Sequence, residues 1–187
     1  MERTMKIEDV KVSEWINCYL HLSGDNIINI DNCKYADMFY FTILWNLFEA
    51  RIFDYCMDCN VEAIRCKVKN KIRLTALQAE PIINILLEYL QNRYTTQNSD
   101  GVNVVNHRFE HLTNKTRTPK ACSELLSKVL CGENADKADV ITAIIIAIYR
   151  FRCNLFHGEK EIASLPADGV DFCDVNRFII ACLVHKK

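Results

Sequence analysis

The sequence is poor in the residues that interrupt regular structure. It holds only five glycines and three prolines in 187 residues, which argues against a turn-rich β-sandwich and favours long helices. It also lacks an apolar run of the roughly 20 residues that a membrane span needs. The longest such run, Val140–Tyr149, covers ten residues and includes Thr142. A net charge of −1 further excludes a protein that acts as a bulk polycation on nucleic acid.

The composition and length indicate one folded domain. Half of the residues are apolar and a quarter are charged, as in an average soluble protein, which excludes general disorder. The length predicts a single domain over residues 1–187. The segment Met1–Val10 is charged and lacks the apolar stretch of a secretion signal. We therefore expect a cytoplasmic protein without a membrane segment.

The ten cysteines are interpreted mainly as reduced thiols that serve as small core residues. The close pair Cys56 and Cys59, with Cys66 seven positions on, lacks the second pair that a zinc site requires. His107 and His111 would share a helix face, but no Glu or Cys nearby completes a metal site. Metal binding and redox chemistry are the alternatives, and we expect neither a metal nor a cofactor.

The charge is unevenly distributed along the chain. Residues 1–60 carry a net charge of −5, whereas residues 61–120 hold ten Lys and Arg against five Asp and Glu, net +5. Within this basic third, Arg65–Arg73 alternates basic and other residues. Alternation favours a strand, but a lone strand among helices would have no partner, so we predict an exposed basic helix. Its candidate contacts to an anionic partner such as RNA, with an ordinary solvated face as the alternative, are Lys67, Lys69, Lys71 and Arg73.

Apolar periodicity predicts an all-α fold of five to seven helices. A polar connection is expected at Asn26–Lys34, and Thr95–Thr118 is predicted to be a long loop or insertion. Pro81 marks either a kink or the true start of its helix. The predicted helices are Ile7–His21, Tyr35–Cys59, Thr75–Tyr94, Lys120–Leu130, Asp136–His157 and Phe172–His185.

The predicted helix Tyr35–Cys59 is apolar around most of its circumference, which is typical of a central, buried helix. Its aromatic residues, up to Tyr55, are therefore interpreted as core rather than as platforms for stacking bases. Two polar residues, Asn46 and Glu49, interrupt this surface. Because a buried carboxylate is costly unless it is paired or hydrogen-bonded, Glu49 is a candidate for a structural or functional pair.

The most informative segment is the end of the strongest helix, where an apolar run gives way to Arg152, Asn154 and His157. Arginine offers paired donors to phosphate oxygens, and histidine exchanges a proton near neutral pH. A helix C-terminus favours the charged imidazolium, so His157 is suited to act as an acid. At about 100° per residue, Arg152 and His157 lie about 140° apart. The site therefore needs the long reach of arginine or groups from two chains, which points towards a dimer interface.

The run Arg152-Cys153-Asn154-Leu155-Phe156-His157, with Gly158 after it, resembles the Arg-x4-His signature of the HEPN superfamily. The run Trp45-Asn46-Leu47-Phe48-Glu49 is similar to the acidic helix of that family. The resemblance thus rests on the two long predicted helices that carry these runs, Asp136–His157 and Tyr35–Cys59. One departure is that many family members have a polar residue directly after the arginine, where this chain has Cys153.

The resemblance implies a helical bundle that forms a homodimer through its motif helices and cleaves RNA without a metal. The ribose 2′-hydroxyl would attack the neighbouring phosphate, with His157 moving the proton and Arg152 stabilising the charge. Asn154 would orient the substrate or His157, and Glu49 would hold Arg152 or His157 in place. Arg150 and Lys160 flank the motif and are assigned as RNA contacts, with a solvated or salt-bridged surface residue as the alternative for Arg150.

The resemblance leaves several biological settings open. The first is a toxin or defence effector, which implies an antitoxin as a partner. The alternative is a catalytically inactive HEPN-like module that binds RNA, a nucleotide or another protein. Pairing with a nucleotidyltransferase is less favoured, because family members modified by such an enzyme have a tyrosine shortly after the motif histidine. Here the residues 159–163 contain none.

Overall fold

The chain folds into helices joined by short connections and one small hairpin. The structure is a computed structural model and describes residues 7–24, 36–55, 57, 60–113, 118–156 and 172–187. A 3-10 turn spans Ile7–Asp9, and two short strands are β1 (Thr95–Gln97) and β2 (Asn103–Val105). The helices are α1 (Val12–Tyr19), α2 (Ala36–Ile52), α3 (Val61–Lys71), α4 (Leu74–Gln78), α5 (Pro81–Tyr94), α6 (His107–Thr113), α7 (Lys120–Leu130), α8 (Lys137–Phe156) and α9 (Phe172–Val184). The predicted all-α class is confirmed.

Nine α-helices lie within these described ranges, whereas five to seven were expected. One additional helix arises at Pro81, because the segment predicted as one helix is divided into α4 and α5. Proline has no N–H and disfavours a helical residue before it. Pro81 occupies the first turn of α5, and the preceding Glu80 is extended (φ −74°, ψ 127°). Of the two interpretations of Pro81, the true start of a helix is confirmed.

The prediction of a long loop over Thr95–Thr118 is wrong for the part that the structure describes. The strands β1 and β2 pair antiparallel, and α6 follows them directly. Asn98 closes the hairpin, because its Oδ1 accepts hydrogen bonds from the backbone N–H groups of Asp100 and Val102 at 3.0 and 2.9 Å. Gly101 supplies the positive φ of +73° that this turn requires. Each strand has only three residues, which is too short for an alternation of side chains to predict a strand.

Two predicted helices end earlier than expected. The first consists of the 3-10 turn followed by α1, which ends at Tyr19. The second, α2, ends at Ile52 rather than at Cys59, because Asp54 and Tyr55 both adopt left-handed backbone conformations with φ of +55° and +66°. The predicted connection Asn26–Lys34 lies outside the described residues. The predictions for α7, α8 and α9 agree with the structure to within a residue or two where it is described.

The core is built around α2 and α8. The helix α2 packs along α9, while α8 packs against α7, α3 and α4. On α2, Phe41, Trp45 and Phe48 are buried, as predicted for a central helix. The expectation that all its aromatic residues are core is wrong for Phe39, which is 48% exposed, and for Tyr55 in the turn that follows, which is 83% exposed.

The segment predicted as an exposed basic helix is α3. Asn60 caps its N-terminus, since the Asn60 side chain accepts a hydrogen bond from the Ala63 N–H at 3.0 Å. Arg65 forms an ion pair with Asp139 in the first turn of α8, which fixes α3 against the core. The residues that follow α9 run back beside the end of α3, where the Arg73 N–H donates to the His185 carbonyl oxygen at 2.8 Å.

Within the described residues, no helix is both long enough and apolar enough to cross a bilayer. The apolar run of α8 is instead buried among the neighbouring helices, with Ile141, Ile144 and Ile148 almost fully covered. This finding agrees with the prediction of a buried helix for Val140–Tyr149.

Candidate active site

The two arginines near the end of α8 have different environments. Arg150 is only 5% exposed, and its Nε donates a hydrogen bond to the Leu112 carbonyl oxygen at 3.3 Å. That carbonyl belongs to the last turn of α6, where helix carbonyls lack intrahelical partners. Arg150 therefore binds the C-terminal end of α6 inside the fold. The assignment of Arg150 as an RNA contact is corrected, and so is its alternative as a solvated residue, because the side chain is buried.

Arg152 lies on the other side of α8. Residues two apart on an α-helix lie about 160° from each other around its axis, so Arg152 points away from the Arg150 side and from α6. Its side chain is partly exposed, although residues 141–148 of the same helix are buried. Tyr149 is three residues before Arg152 and lies about 60° from it around the helix. The surroundings of Tyr149 therefore indicate which element Arg152 faces.

Tyr149 faces the acidic part of α2. The ring centroids of Tyr149 and Trp45 are 6.1 Å apart, and the two rings are tilted by 43°, within the usual range for aromatic pairs. The Trp45 indole Nε1 donates a hydrogen bond to Glu49 Oε2 at 3.2 Å. A continuous set of contacts therefore connects Glu49 to the side of α8 that carries Arg152.

Glu49 also orders the turn that follows α2. Its Oε1 accepts a hydrogen bond from the Met57 N–H at 3.4 Å. Its backbone carbonyl oxygen accepts hydrogen bonds from the N–H groups of Phe53 and Tyr55 at 3.0 and 3.1 Å. The carboxylate is thus partly buried and hydrogen-bonded, as expected for a carboxylate on an apolar helix. The structure gives it a structural role, and its predicted action on Arg152 or His157 stays a prediction.

The remainder of the motif is only partly described. Cys153 is 7% exposed, so its thiol is turned into the fold rather than towards the surface. Asn154 lies in the last turn of α8, but its side chain is outside the described part of the chain. His157, Gly158 and Lys160 lie outside the described residues altogether, and their predicted roles rest on the sequence alone.

The basic side chains of α3 are bound to other parts of the chain. Lys67 and Lys71 both pair with Asp54, Lys71 at 3.3 Å, and Lys69 lies 3.9 Å from Asp136. The Arg73 guanidinium donates to the Val184 carbonyl oxygen at 3.1 Å. All four remain at least partly exposed. Their predicted contacts to RNA stay a prediction, in which phosphates would compete with these partners.

The pKa values of two carboxylates near α3, Asp54 and Asp136, are lowered. Hydrogen bonds from Lys67 and Lys71 lower the pKa of Asp54 below its ordinary value. The pKa of Asp136 is lowered chiefly by the hydrogen bond from the Asp139 N–H, at 2.7 Å. Asp136 thereby caps the N-terminus of α8, where a negative charge is favoured by the helix dipole.

The interpretation of the cysteines as core residues holds for some of the described ones and not for others. Cys122, Cys153 and Cys182 are buried, whereas Cys18 and Cys66 are exposed. Burial raises the pKa of the Cys182 thiol, which keeps it in the unreactive neutral form. The pair Cys56 and Cys59 lies outside the described residues. Among the residues that are described, no group of three His, Cys, Asp or Glu side chains is placed to hold a metal ion.

Sequence reasoning missed three features of this region. The hydrogen bond from Trp45 to Glu49 had an available signal, because residues four apart on a helix are neighbours. The pairing of Asp54 with α3 had none, since it depends on how the turn after α2 folds back. The exposure of Tyr55 was also hidden, because the apolar pattern continues past the true end of α2 at Ile52.

Comparisons with known proteins add no relative to this picture. No family model matches the chain, and neither a curated protein nor a solved structure is significantly similar to it.

Proposed function

We propose that the chain is a metal-independent endoribonuclease of the HEPN type. The observation that supports this most is the placement of Arg152 near the end of the apolar helix α8. It is partly exposed on the same side as Tyr149, whose ring packs on the Trp45–Glu49 pair. A guanidinium held at the end of a rigid buried helix is suited to bind a phosphate. The HEPN-like motif and the all-α fold agree with this proposal.

In the proposed reaction, the ribose 2′-oxygen attacks the adjacent phosphorus and the bond from phosphorus to the 5′-oxygen breaks. The products are a 2′,3′-cyclic phosphate and a free 5′-hydroxyl. One proton leaves the 2′-hydroxyl and one reaches the 5′-oxygen, and His157 is the candidate for moving a proton. Arg152 would stabilise the additional negative charge on the phosphate oxygens. Asn154 would orient the substrate or His157, and Glu49 would act as a positioning residue.

The proposal includes a homodimer in the cytoplasm, because Arg152 and His157 do not share a face of one helix. Two copies of α8 facing each other would bring both groups to one phosphate. A role as a toxin or defence effector, held in check by an antitoxin, follows from the resemblance alone. A variant that is monomeric but retains its helical circular dichroism should therefore lose cleavage.

A second candidate function is a catalytically inactive module that binds RNA, a nucleotide or a protein. Cys153 favours it, because this position is polar in many family members and is here occupied by a buried thiol. In that case Arg152 would contact an anionic ligand without chemistry. The two functions differ in whether RNA is cut, and one experiment separates them.

The experiment is incubation of the purified protein with single-stranded RNA in EDTA. Cleavage to cyclic-phosphate ends that is lost in Arg152→Ala and His157→Ala supports the enzyme. Arg108→Ala, an exposed arginine on α6, is the matched control and should cut normally. Binding without cleavage by the wild type supports the inactive module. Cleavage that persists in both motif variants contradicts the assigned site.

A further inference from the structure

The turn after α2 holds an exposed tyrosine in a strained conformation. Asp54 and Tyr55 are consecutive residues other than glycine with φ of +55° and +66°, a region that side chains other than glycine rarely adopt. Two such residues in succession persist only where surrounding contacts determine the conformation. Tyr55 nevertheless exposes 83% of its surface. Its side chain therefore contributes little to the packing that the strained backbone requires.

Contacts on three sides hold this turn. Behind it, the Phe53 ring packs edge-on against Phe48 with centroids 5.4 Å apart. On the α2 side, the Glu49 carbonyl oxygen accepts the Tyr55 N–H at 3.1 Å. On the α3 side, the Asp54 carboxylate is bound by two lysines. The aromatic ring is thus presented to solvent by a rigid backbone rather than by a loose loop.

The surroundings of the ring are positively charged. Lys67 and Lys71 lie beside Asp54, and the exposed Arg51 is one turn before the strained pair. These three cations against the carboxylates of Asp54 and the partly buried Glu49 give the described charges around the turn a net value of +1. An exposed aromatic ring beside a basic surface is the combination with which proteins bind single-stranded nucleic acid, through base stacking and phosphate attraction.

We propose that Tyr55 stacks on a base of a single-stranded RNA whose phosphates lie along Arg51, Lys67 and Lys71. This inference rests on the proposed function and extends it, because it assigns a substrate contact outside the motif helix α8. The turn is bonded to Glu49, and Glu49 is connected through Trp45 to the Arg152 side of α8. These contacts fix the turn that carries Tyr55 relative to α8.

The test measures binding separately from cleavage. A fluorescent 2′-O-methyl oligonucleotide cannot supply the attacking hydroxyl, and an otherwise identical oligomer with abasic positions retains the phosphates without the bases. Wild-type protein should bind the oligomer with bases more tightly, by about 5- to 100-fold. Tyr55→Ala should bind both equally, whereas Tyr55→Phe, which keeps the ring, should behave as the wild type. The exposed Val184→Ala serves as a surface control.

Several results would overturn the proposal. If Tyr55→Ala still distinguishes the two oligomers, the ring does not stack on a base. If the wild type binds neither oligomer, the exposed ring belongs to a protein interface instead. Cleavage of ordinary RNA is measured alongside. Base-dependent binding through Tyr55 without any cleavage would refute the proposed enzyme and leave the stacking site intact, so that the two failures are distinguishable.

Discussion

The Trp45 indole N–H donates to the Glu49 carboxylate at 3.2 Å while the same ring packs against Tyr149, with centroids 6.1 Å apart. One side chain thus connects the acidic group of α2 to the helix that carries Arg152. The hydrogen bond holds the Glu49 carboxylate against Trp45, the residue that contacts α8. It also suggests variants in which orientation and packing are changed separately.

Trp45→Phe removes the donor and keeps an aromatic ring in the core. Because a partly buried carboxylate oxygen then lacks its partner, the free energy of unfolding should fall by about 1–3 kcal/mol. If Glu49 positions the site, kcat for RNA cleavage should also fall while KM changes little. Urea denaturation and steady-state kinetics measure the two effects. Trp15→Phe, at a tryptophan that stacks on Tyr19, is the control, and an equal loss of kcat there would contradict the positioning role.

The same substitution should affect stability at one arginine of α8 and cleavage at the other. Arg150→Gln removes the hydrogen bond to the Leu112 carbonyl oxygen in a buried setting, so unfolding should become easier by about 1–3 kcal/mol. Arg152→Gln should abolish cleavage with a smaller loss of stability. Thermal denaturation and RNA cleavage of both variants test this. The distinction fails if Arg150→Gln is as stable as the wild type.

Stability should decrease in acid because of Asp54. Its pKa is lower in the folded protein than in the unfolded chain, so the unfolded state binds more protons between the two values. This contribution is complete above the ordinary value of about 3.9 and is lost as the pH falls through the folded pKa. Urea midpoints should therefore stay constant well above about pH 4 and drop as the pH falls below it and through the folded pKa of Asp54.

Asp54→Asn isolates this effect. The variant should be less stable than the wild type near neutral pH and should lose less stability in acid, because Lys67 and Lys71 no longer face a carboxylate. The same change at the exposed Asp100 of the hairpin turn is the control. An identical acid dependence in Asp54→Asn and the wild type would show that the pairing does not contribute.

Tyr55→Gly should stabilise the fold. Glycine adopts a φ of +66° without the steric cost that other residues pay, about 1 kcal/mol or more, and the tyrosine ring is exposed. We expect an increase in the free energy of unfolding of up to about 1 kcal/mol, reduced by the greater freedom of glycine in the unfolded chain. Urea denaturation measures it, with Tyr55→Ala as the comparison. A destabilised Tyr55→Gly would mean that the ring itself holds the turn.

The residues that could be predicted from the sequence are those whose signals are local. The buried helix around Ile144 and the helical start at Pro81 depend on periodicity and on backbone chemistry within a few residues, and both were found. The end of α2 was missed because Phe53 is buried after the helix has ended, so the apolar pattern continues while the backbone turns.

The sequence predicts which residues belong to the candidate site, but not which contacts they make. Arg152 and Glu49 were identified from residue type and context. The burial of Arg150 was not, because the Leu112 carbonyl oxygen that binds it is 38 residues away in the sequence. The ion pairs of α3 were hidden for the same reason, since alternating lysines look alike whether they face solvent or a distant carboxylate such as Asp54.

The contact between the residues after α9 and the end of α3 has a consequence for cooperativity. The Arg73 guanidinium binds the Val184 carbonyl oxygen across 111 positions of sequence, and the backbone N–H of Lys187 donates to the Lys71 carbonyl oxygen at 2.8 Å. If the end of α3 unfolds, the end of α9 loses these hydrogen bonds, and the reverse holds as well. Amide hydrogens at the ends of α3 and α9 should therefore exchange with deuterium at matching rates, as one unit that opens together.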